Sequence, residues 1–167
     1  MGEGCARGAA DPEQSLSMRE QSFFRVRDGF YLANLSGTVW PYVQFRCGPP
    51  SFVQVPDEHT LRWADFRGNC QLVSTGNLSG SDKVSLFFMD YASRTRLKVL
   101  GRGKLVDLTK APELAATLAI PSYDAKVERG MIIDVEAVDW NCSQHITPRF
   151  TLADIGPSVE ALKSRIA

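Results

Sequence analysis

Val84–Leu100 reads VSLFFMDYASRTRLKVL, and it joins two kinds of strand. Val84–Met89 is apolar at nearly every position, the pattern of a strand buried on both faces. Arg94–Leu100 alternates instead. Arg94, Arg96 and Lys98 share one side, and Thr95, Leu97 and Val99 share the other, which is the two-residue period of a half-buried strand. The core of the fold is therefore expected to be sheet.

The same signals recur outward from this stretch. Phe30–Leu35 is an apolar run that stops at Ser36-Gly37, a turn pair. Trp40–Arg46 alternates, with Val43 and Phe45 on one side and Tyr42, Gln44 and Arg46 on the other. Gly48-Pro49-Pro50 turns the chain, and Ser51–Val55 reads as the returning arm of a hairpin. Thr60–Trp63 and Gln71–Ser74 read as short strands, and Met131–Trp140 as a long one. Lys104–Leu108 extends or pairs with the basic strand after Gly101 and Gly103. Helices are expected within Pro12–Arg27, at Ala111–Leu118 opened by Pro112, and at Ser158–Ile166. Residues 1–18 read as a flexible segment and 19–167 as one domain. Many short strands with Gly/Pro turns and few helices predict a mainly β fold, a small barrel.

Composition narrows the function classes. The 167 residues are 44% hydrophobic and 23% charged, enough for one real core. Lys plus Arg and Asp plus Glu stand at 19 each, without the basic excess of a general nucleic-acid binder. No apolar run reaches the roughly 20 residues of a membrane-spanning helix, and the N-terminal stretch has no apolar signal core. A cytoplasmic location is expected. Cys5, Cys47, Cys70 and Cys142 form no CxxC pair and are read as free thiols. The sequons at Asn34, Asn77 and Asn141 are read as chance.

Three groups of residues carry possible chemistry. Arg94, Arg96 and Lys98 suit an anion clamp, with Arg offering forked donors, although most charged strand faces are merely solvated. Asp65-Phe66-Arg67-Gly68-Asn69 combines a sharp turn at Gly68 with donors on Arg67 and Asn69, so it suits either a phosphate cradle or an ordinary loop. Asp139–Phe150, DWNCSQHITPRF, gathers Trp140, Asn141, Gln144, His145 and Arg149. A Trp can cover a ring, amides match a ring edge of mixed polarity, and Arg149 can meet a phosphate. Cys142 and His145, with His59 apart from them, are too few for a metal site.

These segments, in order from about Arg19 to Leu152, resemble the pyridoxamine 5′-phosphate oxidase-like family of flavin-binding split barrels. The most specific matches are RGN…STGNL…MDY and DWNCSQHITPRF. The resemblance implies a six-stranded split β-barrel with a few peripheral helices, forming a homodimer with FMN at the subunit interface. It implies that Arg67 and Asn69 contact the FMN phosphate, with Gly68 permitting the approach. Trp63 and Asp65 would line the ribityl chain or ring. Tyr42, Gln44 and Arg46 would face the flavin, and Arg96 and Lys98 would complete the phosphate or ring-edge contacts. Trp140, Asn141, Gln144 and Arg149 would come from the opposite subunit.

The chain departs from the family pattern at Cys47, where Gly is frequent, and at Ser143, where Pro is usual. Family members that oxidise vitamin B6 hold the substrate phosphate with a C-terminal Arg/His segment, for which Arg149 is the one candidate here. The implied function is an FMN-dependent oxidoreductase acting on a small-molecule substrate. Arg46 or Lys98 would stabilise reduced flavin, and His145 is the acid–base candidate by residue type. The alternatives are a flavin carrier or sensor without turnover, or a deazaflavin- or haem-binding variant of the same barrel.

Overall fold

The computed structural model describes residues 15–66, 73–120, 123, 127–141 and 143–166. In chain order these form α1 (Met18–Arg25), β1 (Gly29–Leu35), β2 (Pro41–Cys47), β3 (Gln54–Asp57), β4 (Thr60–Phe66), α2 (Val73–Gly80), β5 (Lys83–Asp90), β6 (Thr95–Asp107), α3 (Pro112–Leu118), β7 (Val127–Asn141) and α4 (Leu152–Ile166). The seven strands make one antiparallel sheet in the order β2-β1-β5-β6-β7-β4-β3. Sequence alternation becomes alternation of burial. Phe30 and Leu32 on β1, Val84, Leu86 and Phe88 on β5, and Leu97 and Val99 on β6 all enter the core.

The sheet is rolled. Phe30 on β1 meets Trp63 on β4 edge-on, with ring centroids 5.0 Å apart, although β5, β6 and β7 lie between those strands in the ladder. At the seam Arg46 of β2 donates to Asp65 of β4 at 2.8 Å. A flat sheet cannot make either contact, so the architecture is a split barrel with four helices around it. The count of seven strands rather than six comes from the short β3, which pairs with β4 alone.

Several expectations need correction. Ser51–Val55 does not return along β2; Gln54–Asp57 pairs with β4, and β2 pairs with β1. Burial decides this, because Phe52 and Val53 are 2% and 0% exposed and Phe52 stacks on Phe30 at 5.9 Å. Val73 and Ser74 open a helix rather than close a strand, and Gln71 lies outside the described residues. That helix, α2, is tied to β1 by Asn77 Nδ2 donating to Asn34 Oδ1 at 2.8 Å. Both of these sequon asparagines are buried.

β5 presents only one face to the core; Ser85, Phe87 and Met89 are half-buried on the other. β6 runs unbroken to Asp107 past both glycines. α1 is shorter than expected because a capping box of Ser17 and Glu20 fixes its start, and packing begins with Leu16 in the core. α4 starts six residues before Ser158, where Thr151 and Asp154 bond each other's backbone N–H; Pro157 lies inside it.

One irregularity sets the site. In the β6–β7 ladder Leu100 pairs with Ala137 and Gly101 with Val135, so Glu136 is an extra residue, a β-bulge. Before it Met131, Ile133 and Val135 are buried in the core; after it Val138 and Trp140 pack there. Gly101 sits at the slip, where a Cβ would press on the Asp134 carbonyl and lie 2.8 Å from Ile133 Cγ2.

Candidate functional site

The outer face of the barrel carries a graded row. Phe45, Tyr31, Phe87, Lys98 and Asp139 are successive partners across β2, β1, β5, β6 and β7. Directly opposed residues share a face, and their neighbours one step along, Phe30 and Phe88, point inward to the core. The row therefore passes from rings on three strands to a cation on β6. In the adjoining row Met89 pairs with Arg96, which pairs in turn with the backbone of Asn141.

The segment after β7 crosses this face. His145 has φ 62°, a left-handed backbone that costs a β-carbon residue roughly 1 kcal/mol or more. Ile146 then buries its side chain, 9% exposed, and Arg149 lays its guanidinium 4.9 Å from the centre of the Tyr91 ring. Between segment and sheet lies a cleft of about 320 Å³. Tyr31, Phe87, Met89, Tyr91 and Arg96 line it from the sheet side, and His145–Thr147 and Arg149 from the segment.

The electrostatics are one-sided. Two guanidiniums and no carboxylate line the cleft. Arg96 Nε is buried without a hydrogen-bond partner. Lys98, beside it on the same face, makes an exposed ion pair with Asp139 at 3.3 Å. The Tyr91 phenol, by charge repulsion and a shared hydrogen bond, pushes the Tyr31 hydroxyl above its ordinary value; burial adds to this and Arg149 pulls against it.

Of the residues singled out from sequence, the structure brings Arg96 and Arg149 to the cleft, together with His145, and sets Lys98 beside them. The other described ones do not line it. Tyr42, Gln44 and Arg46 sit opposite Asn34, Leu32 and Phe30, on the core side of β2. Trp63 is 2% exposed in the core, its Nε1 without a partner, as is Arg46 Nε. Asp65 is held by Arg46 and, at 3.5 Å, by Arg129. Trp140 turns to α1, packing on Phe23 at 4.9 Å and under Arg19 at 4.1 Å, and donating its Nε1–H to Glu20. Gln144 is exposed, next to His145 in the turn. Arg67, Gly68 and Asn69, and the side chain of Asn141, lie outside the described residues.

Sequence reasoning does not find Tyr31, Phe87, Met89 and Tyr91: Val84–Met89 reads as a strand buried on both faces, Phe30–Leu35 reads only as an apolar run, and Tyr91 falls beyond either. A tyrosine at an alternate position of such a run was the available signal. Among the described residues no group of three or more His, Cys, Asp or Glu is placed to hold a metal, and no helix is long and apolar enough to cross a membrane. Cys47 is a free, exposed thiol.

The barrel has the split-barrel fold seen in pyridoxamine 5′-phosphate oxidase-like proteins. The chain is similar to a candidate pyridoxamine 5′-phosphate oxidase of Lactobacillus delbrueckii, with a TM-score of 0.57 and 20% identity over 75% of this chain and 94% of that one. It is similar to a general stress protein 26-related protein of the pyridoxinephosphate oxidase family from Clostridium acetobutylicum, with a TM-score of 0.55 and 11% identity over 83% and 95%. An F420 reductase matches with a TM-score of 0.50 and 18% identity over 71% and 94%. At these identities the likeness is one of fold. No family model matches the sequence, and no curated protein matches it.

Proposed function

We propose that this protein is a cytoplasmic FMN-dependent oxidoreductase of small molecules, with the cofactor held on the outer face of the barrel and covered by a second copy of the chain. The observation that carries the reading is the graded row: rings on β2, β1 and β5 beside cations on β6, with a buried Arg96 Nε that lacks a partner. FMN has the same polarity, a flat apolar-faced ring at one end and a phosphate at the other. Arg96 and Lys98 would hold the phosphate by charge-assisted hydrogen bonds, and Tyr31, Phe45 and Phe87 would pack on the ring. The residues present therefore fit the group. When bound, FMN supplies hydride-transfer chemistry, and the chain supplies position and electrostatics.

The homodimer is part of the proposal. Val43 and Phe45 leave 58% and 54% of their surface open next to the cleft. A self-complementary apolar face of this kind suits a two-fold interface. The same interface would bring the partner's copy of the segment after β7 near the site, as the family resemblance implies. The free Cys47 thiol suits a reducing compartment.

The first experiment is a visible absorption spectrum of the purified protein, followed by mass spectrometry of what acid releases from it. Released FMN is the expected result, and Arg96→Ala is expected to weaken its binding by about 1.5–3 kcal/mol. A released deazaflavin or haem would keep the barrel and replace the cofactor. A colourless protein that refuses added FMN would overturn the proposal. Bleaching of bound flavin by reduced pyridine nucleotide then separates an enzyme from a carrier.

A further inference from the structure

We infer that α4 is a clasp, whose apolar stripe pairs antiparallel with α4 of a second copy of the chain. The inference uses no cofactor and concerns a surface other than the β2 face; from the reading above it takes only the second copy. Every residue of Leu152–Ile166 except Gly156 is exposed. An isolated helix of about 15 residues is marginal in water even when rich in Ala, and α4 has Gly156 and Pro157 in its interior. The hydrogen bonds of Thr151 and Asp154 fix its start, but they do not replace a packed face. Among the described residues the barrel provides no such face. Residues 1–14 hold no Val, Ile, Leu or aromatic side chain to provide one.

The stripe says what kind of surface is missing. Leu152, Ile155, Val159, Leu162 and Ile166 recur at alternating steps of three and four, and they are 39% to 86% exposed. Ala153 and Ala161 aside, the other positions are polar, Gly156 or Pro157. This is the narrow seam of a helix that packs on another helix; a helix lying on a sheet needs a wider apolar face. Pro157 falls on the side away from the seam, so it does not obstruct the pairing.

Length and charge select the partner. Among the described residues α1, α2 and α3 are seven or eight residues long, and α1 and α3 already bury Phe24 and Leu118. A second α4 has both the length and the open seam, and a surface that matches itself makes a two-fold pair. The first turn of α4 carries Asp154, and the last carries Lys163 and Arg165. Antiparallel pairing sets each end beside the opposite charge and the opposite end of the helix dipole; parallel pairing would set the cationic ends together. A helix of this length is about 22 Å long and roughly 10 Å wide. The seam is therefore smaller than the roughly 800 Å² per partner of a standard interface, so α4 reinforces a contact between barrels instead of making the dimer alone.

The test is sedimentation equilibrium of the full chain, followed by cross-linking. The parent is expected to dimerise. Val159→Glu should raise the dimer Kd about tenfold or more, because its carboxylate has to enter the seam. Ser164→Glu, on the opposite side of α4, should leave the Kd unchanged. In a mixture of Leu152→Cys and Ile166→Cys chains, a short bis-maleimide is expected to join position 152 of one chain to position 166 of another. Mass spectrometry of the joined peptides identifies the product. A dimer unchanged by Val159→Glu overturns the clasp and leaves the two-fold reading of the β2 face standing. A dimer that survives Val43→Glu with Phe45→Glu, and still gives the 152–166 product, keeps the clasp and overturns the β2 face. Joining of position 152 to its own copy overturns the antiparallel pair. A chain that stays monomeric at every concentration overturns both.

Discussion

Asp65→Ala tests how the barrel is closed. Asp65 sits on β4 at one end of the ladder and receives Arg46 from β2 near the other end, at 2.8 Å, and Arg129 at 3.5 Å. Side-chain exposure is 10% for Asp65 and 17% for Arg46, so the pair is nearly desolvated. Removing one member of such a pair leaves a buried charge without its counter-charge, at about 3–5 kcal/mol. Arg129 is 30% exposed and keeps much of its hydration, so the lower end applies, about 3 kcal/mol. A domain of this size shifts its Tm by about 2–4 °C per kcal/mol, which gives a fall of roughly 6–12 °C. Urea unfolding followed by tryptophan fluorescence reads it directly, because Trp63 lies in the core beside the seam. Replacing both partners, as Asp65→Ala with Arg46→Met, should restore most of the loss, since the orphaned charge is gone. A loss under about 1 kcal/mol in the single variant, or no recovery in the double one, would show that this ion pair does not close the barrel.

Two further predictions concern stability. Burial pushes the Glu20 carboxyl up, but hydrogen bonds from Ser17 and Trp140 outweigh it and hold it below its ordinary 4.5. A depressed folded value contributes stability above the unfolded value, and that contribution disappears as pH falls through the folded one. Glu20→Gln should therefore be less stable at pH 7, by about 1 kcal/mol, and should show a flatter decline than the parent in denaturant titrations below about pH 4.5; an unchanged pH profile would count against the anchor. Gly101→Ala should cost about 2 kcal/mol or more by overpacking, because the added carbon meets the Asp134 backbone, which cannot yield without breaking the ladder. A melting temperature within a degree or so of the parent would mean that the strands yield there after all.

Much of the fold was legible because its signals are local. β1, β2, β4, β5, β6 and β7 each follow from alternation or an apolar run, and α3 from Pro112. What was not legible is which strands meet. The partner of Ser51–Val55 is set by where Phe52 and Val53 find apolar neighbours, on Phe30 and beyond. Gln71–Ser74 was too short for its pattern to tell strand from helix, and the Asn77–Asn34 bond that anchors α2 spans distant parts of the chain. The site was legible in part for the same reason. Arg96 and Lys98 could be assigned one face from their spacing. The cleft itself needs Arg149 to return over Tyr91, and that depends on the turn at His145.

Trp140 shows the remaining limit, and the cause is the extra residue at Glu136. A strand is a two-letter alternation, and an inserted residue changes its phase for everything downstream, much as an inserted base changes a reading frame. With Glu136 in place, Trp140 goes to α1, and Asp139 goes to the cleft side beside Lys98. Were Glu136 paired as an ordinary rung, counting from Ile133 and Val135 by twos would send Asp139 inward and turn Trp140 out onto the cationic face. The chemistry of the outer face is thus written in two places: in the identities of the residues that line it, and in the bulge that sets their phase. A substitution scan would detect the first and overlook the second. Deleting Glu136 would close the bulge and keep both faces, because Val135 and Ala137 already pair with the adjacent Gly101 and Leu100. Drawing Glu136 into the ladder as an ordinary rung would exchange the faces without altering a letter of the strand.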